Sequence, residues 1–231
     1  MKPRRNRVKL FVVLLTPLML FNVDFVCAQA VTRRPVPKDD TQEWNDVQIT
    51  VPLNKTVDFI LLGTLRIGRN ITHPVDERIG FNFSYKVNKY FTLIPGYLHI
   101  NMRPTSGQQS HEERLSIAGT LTLPKKRFTL TDRNTLERRF RSPQLDATRY
   151  RNRLQLEYPF KLQGTQLTFV TSDEVFYDGS LHDWVRNRFL IGVRKTFNKR
   201  FATDLYYLRQ NDGRSRPGDL NVIGTIFRIR P

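Results

Sequence analysis

The sequence predicts an all-β protein, an antiparallel transmembrane up-and-down β-barrel of about 10–12 strands. Three observations lead there. Apolar and polar residues alternate with period two, short basic turns recur at near-constant spacing, and the chain opens on an export signal.

The signal comes first in the chain. Met1 to Lys9 carries five bases (Lys2, Arg4, Arg5, Arg7, Lys9) and no acid. Leu10 to Phe21 follows as an apolar run, interrupted by Thr16 and Pro17, and Val26-Cys27-Ala28-Gln29-Ala30 supplies small residues for cleavage after Ala28 or Ala30. That order is the signature of a secretory signal. The apolar run is shorter than the roughly 20 residues a spanning helix needs. The expected organisation is a signal over residues 1–28, a flexible lead-in over 29–43, and a barrel over 44–231. Val31 to Thr41, with two prolines and no periodicity, accounts for the lead-in.

Cleavage removes Cys27, the single cysteine, so the mature chain has no disulfide and no cysteine metal site. No two histidines have metal-ligand spacing, and neither a metal nor a cofactor is expected. The formal net charge is +17; the signal holds five bases and one acid of this, leaving +13 on the mature chain. A basic surplus attracts nucleic acid, anionic lipid or an anionic solute. Export removes nucleic acid from that set and leaves lipopolysaccharide phosphates or a lumenal anion.

Strand patterning is clearest at Arg78–Val87, where every odd residue is apolar and every even one small or polar. Arg114–Leu123 repeats it, with Leu115, Ile117, Leu121 and Leu123 on one side. Strict alternation over this length means strands with two different faces. Turns at Asn54-Lys55, Asn88-Lys89, Lys125-Lys126, Lys161–Gly164 and Asn198-Lys199 lie about 34 to 37 residues apart, the repeat of a strand pair. Between them, Asn70–Asp76, Arg103–Glu112, Arg141–Ala147, Asp178–Asp183 and Asn211–Gly218 read as longer polar loops. Short turns at one rim and long loops at the other are the pattern of an outer-membrane barrel. Eleven segments have strand character, whereas bacterial barrels have even numbers, so twelve strands are favoured over ten.

Charged residues concentrate between Phe128 and Arg188. Arg133, Glu137 and Arg139 share one parity, Arg149, Arg151, Arg153 and Glu157 another, and Arg186, Arg188 and Arg194 a third. In a membrane barrel these parities line the lumen and the apolar ones meet lipid. Folding each hairpin about the middle of its loop places Glu137 opposite Arg151, Arg151 opposite Glu174, and Glu174 opposite Arg186. The expected site is therefore a lumenal belt of Glu137, Arg151, Glu174 and Arg186, with Arg139, Arg153, Ser172 and Arg188 on a neighbouring level. Catalytic signals are sparse: Ser180 and His182 are the nearest approach to a hydrolase pair, without nucleophile-elbow spacing.

Pro52-Leu53-Asn54-Lys55, Leu136-Glu137-Arg138-Arg139-Phe140, Tyr150-Arg151-Asn152-Arg153-Leu154, Tyr158-Pro159, Ser172-Asp173-Glu174-Val175-Phe176 and Asn187-Arg188-Phe189 resemble the domain-of-unknown-function 2490 family. The resemblance spans nearly all of the mature chain. It implies an outer-membrane barrel of a Gram-negative bacterium, with the barrel assembly machinery and outer-membrane lipid as partners, and it carries no activity. Phe227, four residues before the end, is the candidate for the C-terminal aromatic residue of assembly substrates. The expected function is a narrow pore or solute-binding barrel with a basic, ion-paired lumen. A plugged structural or lipid-interacting barrel is the alternative, and an outer-membrane lipid hydrolase or acyltransferase the third.

Overall fold

The computed structural model describes residues 37–103 and 109–231. The expected signal and most of the lead-in lie outside them. Eleven strands form one closed barrel: β1 Asp39–Pro52, β2 Val57–Gly68, β3 His73–Lys86, β4 Phe91–Met102, β5 Ser110–Pro124, β6 Thr129–Ser142, β7 Ala147–Leu162, β8 Thr165–Asp178, β9 Asp183–Asn198, β10 Phe201–Asp212 and β11 Asp219–Ile229. Consecutive strands pair antiparallel. The ring closes by a parallel pairing of β1 with β11, from Asp39↔Asp219 to Ile49↔Ile229.

That seam resolves the strand count. An odd number of up-and-down strands brings the first and last in at the same rim and running the same way, so they can join only in parallel. β1 begins at Asp39, five residues ahead of the expected boundary at Trp44, and among the described residues no twelfth strand is paired to it. Closure leaves no strand edge unpaired, the condition for a sheet in lipid.

The turns form for a local reason. At three of them an asparagine side chain gathers two backbone N–H groups. Asn54 Oδ1 accepts from Thr56 and Val57 (2.8 and 2.8 Å), Asn88 Oδ1 from Tyr90 and Phe91 (2.8 and 2.9 Å), and Asn198 Oδ1 from Arg200 and Phe201 (2.8 and 2.9 Å). This is the asparagine turn in its usual role. The β7–β8 turn needs only Gln163 and Gly164, both at positive φ (46° and 80°), the two-residue geometry that matches strand twist.

The opposite connections are shorter than the sequence suggests. His73–Asp76 belongs to β3, Ser110–Glu112 to β5, and Asp212 and Asp219 to β10 and β11. Their polarity marks strand ends beyond the apolar band, and the ladder continues through them because backbone pairing is indifferent to side-chain polarity.

Alternation sorts side chains as expected. Ile79, Leu115, Leu136, Leu154, Phe189, Leu205 and Ile223 are exposed on the outer wall. Tyr150, Tyr177 and Trp184 cluster there near the loop rim, and Phe197 stacks on Phe201 at 5.3 Å near the turn rim. Aromatic groups at both ends of an apolar band are the girdles of a membrane barrel. The outer wall is not apolar throughout, however. Asp132 and Asn134 of β6 and Asn152 of β7 bond one another, Tyr150 Oη donates to Asn134 (2.5 Å), and Asn187 donates to Asp173 (2.8 Å). These groups satisfy each other within the wall.

Inside, Trp44, Tyr206, Leu208, Leu220 and Val222 form a buried apolar cluster on β1, β10 and β11. Gly224 makes it possible: a Cβ there would collide with the Tyr206 ring. The charged residues fill the other side.

Candidate functional site: an ion-paired layer above a basic chamber

The loop-side half of the interior holds a layer of interlocked side chains. Glu137, 2% exposed, sits at its centre. It accepts from Arg149 Nε (2.7 Å) and Arg151 Nη1 (2.7 Å), with Arg114 at 3.8 Å. Arg151 also donates from Nε and Nη2 to Glu174 Oε1 (3.1 and 2.5 Å). Glu112 continues the network, accepting from Arg114 Nε (2.8 Å) and from both Nε and Nη2 of Arg139 (2.9 and 2.7 Å). Two-pronged arginine–carboxylate contacts of this kind fix orientation as well as charge.

Phe176 stands among these charges, 1% exposed. The guanidinium carbons of Arg149, Arg151, Arg186 and Arg188 lie 5.2, 5.0, 5.5 and 4.9 Å from its ring centre. A ring face attracts cations, most strongly where water is excluded. Trp44 plays the same part on the facing wall, with Arg66 at 3.6 Å and Arg188 at 5.1 Å. Its indole N–H donates to Gln42 (2.8 Å), and Gln42 donates to Asp40 (2.9 Å). Asp40 accepts the backbone N–H groups of Arg69 and Asn70 in the β2–β3 loop (3.0 and 2.9 Å).

The expected belt is met in part. Glu137, Arg151 and Glu174 are joined, but through different cross-strand partners. Glu137 stands opposite Arg149, Arg151 opposite Phe176, and Glu174 opposite Arg188. Each hairpin is displaced by two residues from the expected register. On β8–β9 the displacement coincides with the irregularity at Phe176/Tyr177. A two-residue slip keeps every side chain on its face and changes only its neighbour, and the long arginine arm still reaches both glutamates diagonally. Arg186 leaves the belt and pairs with Asp212 at 2.5 Å. Of the neighbouring level, Arg139 joins Glu112, Arg188 donates to Gln210 (2.8 Å), and Ser172 is buried. Glu112, Arg114 and Arg149 carry no separate signal in the sequence: Glu112 falls in an expected loop, Arg114 on the polar side of an alternating strand, and Arg149 on a lumen-lining parity. The one available signal for Phe176 was an aromatic residue on a charged parity.

Two cavities adjoin the layer. One of about 320 Å³ lies on the loop side, lined by Gln42, Glu112, Arg139, Arg149 and Arg186 among others. The other, about 560 Å³, lies on the turn side. Arg66, Arg78 and Arg151 border both. Lower in the larger chamber, Arg194 binds Asp204 (2.8 Å) and Glu157 (3.1 Å), and Arg228 binds Asp204 (2.9 Å) and Gln48 (2.9 Å). Arg228 thereby ties β11 to both neighbours, across the parallel seam. Arg133 and Arg153 also line this chamber.

At the loop rim the Ser180 hydroxyl donates to Asp178 (2.5 Å), and no hydrogen bond joins it to His182. Among the described residues no group of three or more histidine, cysteine or acidic side chains is placed to hold a metal.

A closed eleven-stranded barrel with an apolar outer wall and an ion-paired, arginine-rich interior defines the protein as an all-β barrel. Within that class the chain belongs to the DUF2490 family, proteins of unknown function, whose model matches residues 41–221. A search of curated proteins found no match. Among solved structures the chain is similar to the anion-selective porin from Comamonas acidovorans, at 11% identity and a TM-score of 0.36, over 73% of this chain. The chain spans 55% of that porin's length.

Proposed function

We propose that this protein is an outer-membrane barrel whose lumen binds an anionic solute and does not pass ions freely. The observation that carries this reading is the buried layer of Trp44, Phe176, Glu112, Glu137 and their arginines, which packs the interior beside an arginine-lined chamber. An open pore needs a continuous water path, whereas a binding barrel needs a concave chamber with convergent polar groups. The chamber of about 560 Å³ has that form. Its arginine excess favours an anion, because a cation would meet several fixed positive charges at short range.

On this reading residues 1–28 export the chain, and the barrel assembly machinery inserts it. Phe227, outward-facing on the last strand, serves as the terminal aromatic. The outer wall meets outer-membrane lipid, lipopolysaccharide included.

Planar-bilayer recording tests the closed lumen. The purified barrel inserted at high salt is expected to show no conductance steps. Stable steps in the unmodified protein overturn the closed lumen and restore the narrow pore.

A further inference from the structure

Arginines pack the interior, and nearly all of those lining the two cavities reach a carboxylate or a side-chain amide. Two do not. Among the described residues Arg133 and Arg153 make no hydrogen bond and no ion pair, though both lie inside the barrel and line the larger chamber. They are also direct cross-strand partners, Arg133↔Arg153 on β6 and β7. Like charges placed directly opposite each other destabilise a sheet pair. Glu174, the cross-strand partner of Arg153, has its Oε1 committed to Arg151. The fold thus holds two fork-shaped donors side by side with no acceptor of their own. Such a pair matches the oxygens of a carboxylate or phosphate.

The rest of the chamber says what else the ligand carries. Across the eleven-stranded ring from β7 stands β2, whose Ile60 and Leu62 line the same chamber. Ile94, Leu98, Leu190 and Ile226 extend that apolar surface. An inorganic ion held by the two arginines would leave this wall facing only water. An anionic head with an apolar body covers both.

We propose that Arg133 and Arg153 are the head-group site for an amphipathic organic anion, bearing a carboxylate or phosphate. This deepens the solute-binding reading above and rests on it. The two arginines grip the head, Ser172 lies on the adjoining strand beside them, and the apolar body lies towards β2 and β4.

Isothermal titration of the full barrel in detergent micelles tests the site, with empty micelles subtracted. The probes are octanoate, octyl phosphate, inorganic phosphate and octanol. Octanoate or octyl phosphate is expected to bind one per barrel, the stronger of the two identifying the head. Arg133→Gln and Arg153→Gln should each weaken binding at least tenfold, with octanol unaffected by either. Both variants should fold, since each removes a repulsion; heat-modifiable migration on a gel checks this. Should either fail to fold, Arg133→Lys and Arg153→Lys keep the charge without the fork and should lose several-fold in affinity. Equal affinity of wild type and folded variants overturns the site, as does absence of binding by either amphiphile. Inorganic phosphate binding as tightly as octyl phosphate overturns the amphipathic ligand. Conductance bears on the closed lumen alone, so a conducting barrel that still binds octanoate through Arg133 retains this site.

Discussion

Arg133 on β6 and Arg153 on β7 stand directly opposite one another inside the barrel, two guanidiniums with no carboxylate of their own. Without a ligand this pair opposes folding. Replacing Arg133 by leucine should therefore stabilise the empty barrel by ~0.2–1 kcal/mol, the usual range for a cross-strand charge pair. Urea unfolding followed by tryptophan fluorescence measures this. A loss of stability would mean that Arg133 has a stabilising role that its surroundings do not show.

Glu137 presents the reverse case. It is buried and serves Arg149 and Arg151 at once, with Arg114 close by. Removing a buried partner strands the charges left behind, so Glu137→Gln should destabilise by ~3–5 kcal/mol. Adding Arg149→Met to Glu137→Gln should recover part of that loss, because one stranded cation is then gone. A double-mutant cycle reads the coupling directly; additive losses would show that the pair is not coupled.

Phe176 is buried among the arginines of the ion-paired layer. Phe176→Ala should cost ~3–5 kcal/mol through the cavity it leaves, and should release the four guanidiniums gathered on its ring. Conductance steps are expected from the Phe176→Ala barrel and none from the unmodified one. A silent variant would place the barrier elsewhere in the layer.

The parallel seam depends on Arg228, which joins Asp204 of β10 to Gln48 of β1. Hydrogen bonds of charged groups contribute ~1.5–3 kcal/mol each. Arg228→Ala should therefore speed hydrogen exchange of β1 amides at least tenfold more than those of β6. Uniform acceleration around the ring would assign the loss to global stability and not to the seam.

Much of the barrel was legible in the residues themselves. Period-two alternation placed the strands, since a strand directs successive side chains to opposite faces whatever surrounds it. Asn54, Asn88 and Asn198 marked turns because the asparagine side chain makes the turn's hydrogen bonds locally. The loops were read too long: Asp76, Glu112 and Asp212 are polar because of what they meet inside the barrel, and polarity alone does not distinguish a loop from a strand end. The belt was legible by face and not by partner. Glu137, Arg151 and Glu174 point inward by parity, a local property, whereas their pairing depends on register, and register depends on loop geometry and on the irregularity at Phe176/Tyr177.

The sequence by itself determined that this chain forms a closed barrel with an apolar outside and a charged inside. Each of those properties is written in the spacing of residues along single strands. Only the tertiary structure decided that β1 and β11 close the ring in parallel, that Phe176 and Trp44 gather the arginines of the interior, and that Arg133 and Arg153 stand opposite each other without a hydrogen-bonded carboxylate. Those outcomes join residues from distant strands, so they follow from how far each strand slides against its neighbour around the ring. No single segment of sequence contains that displacement.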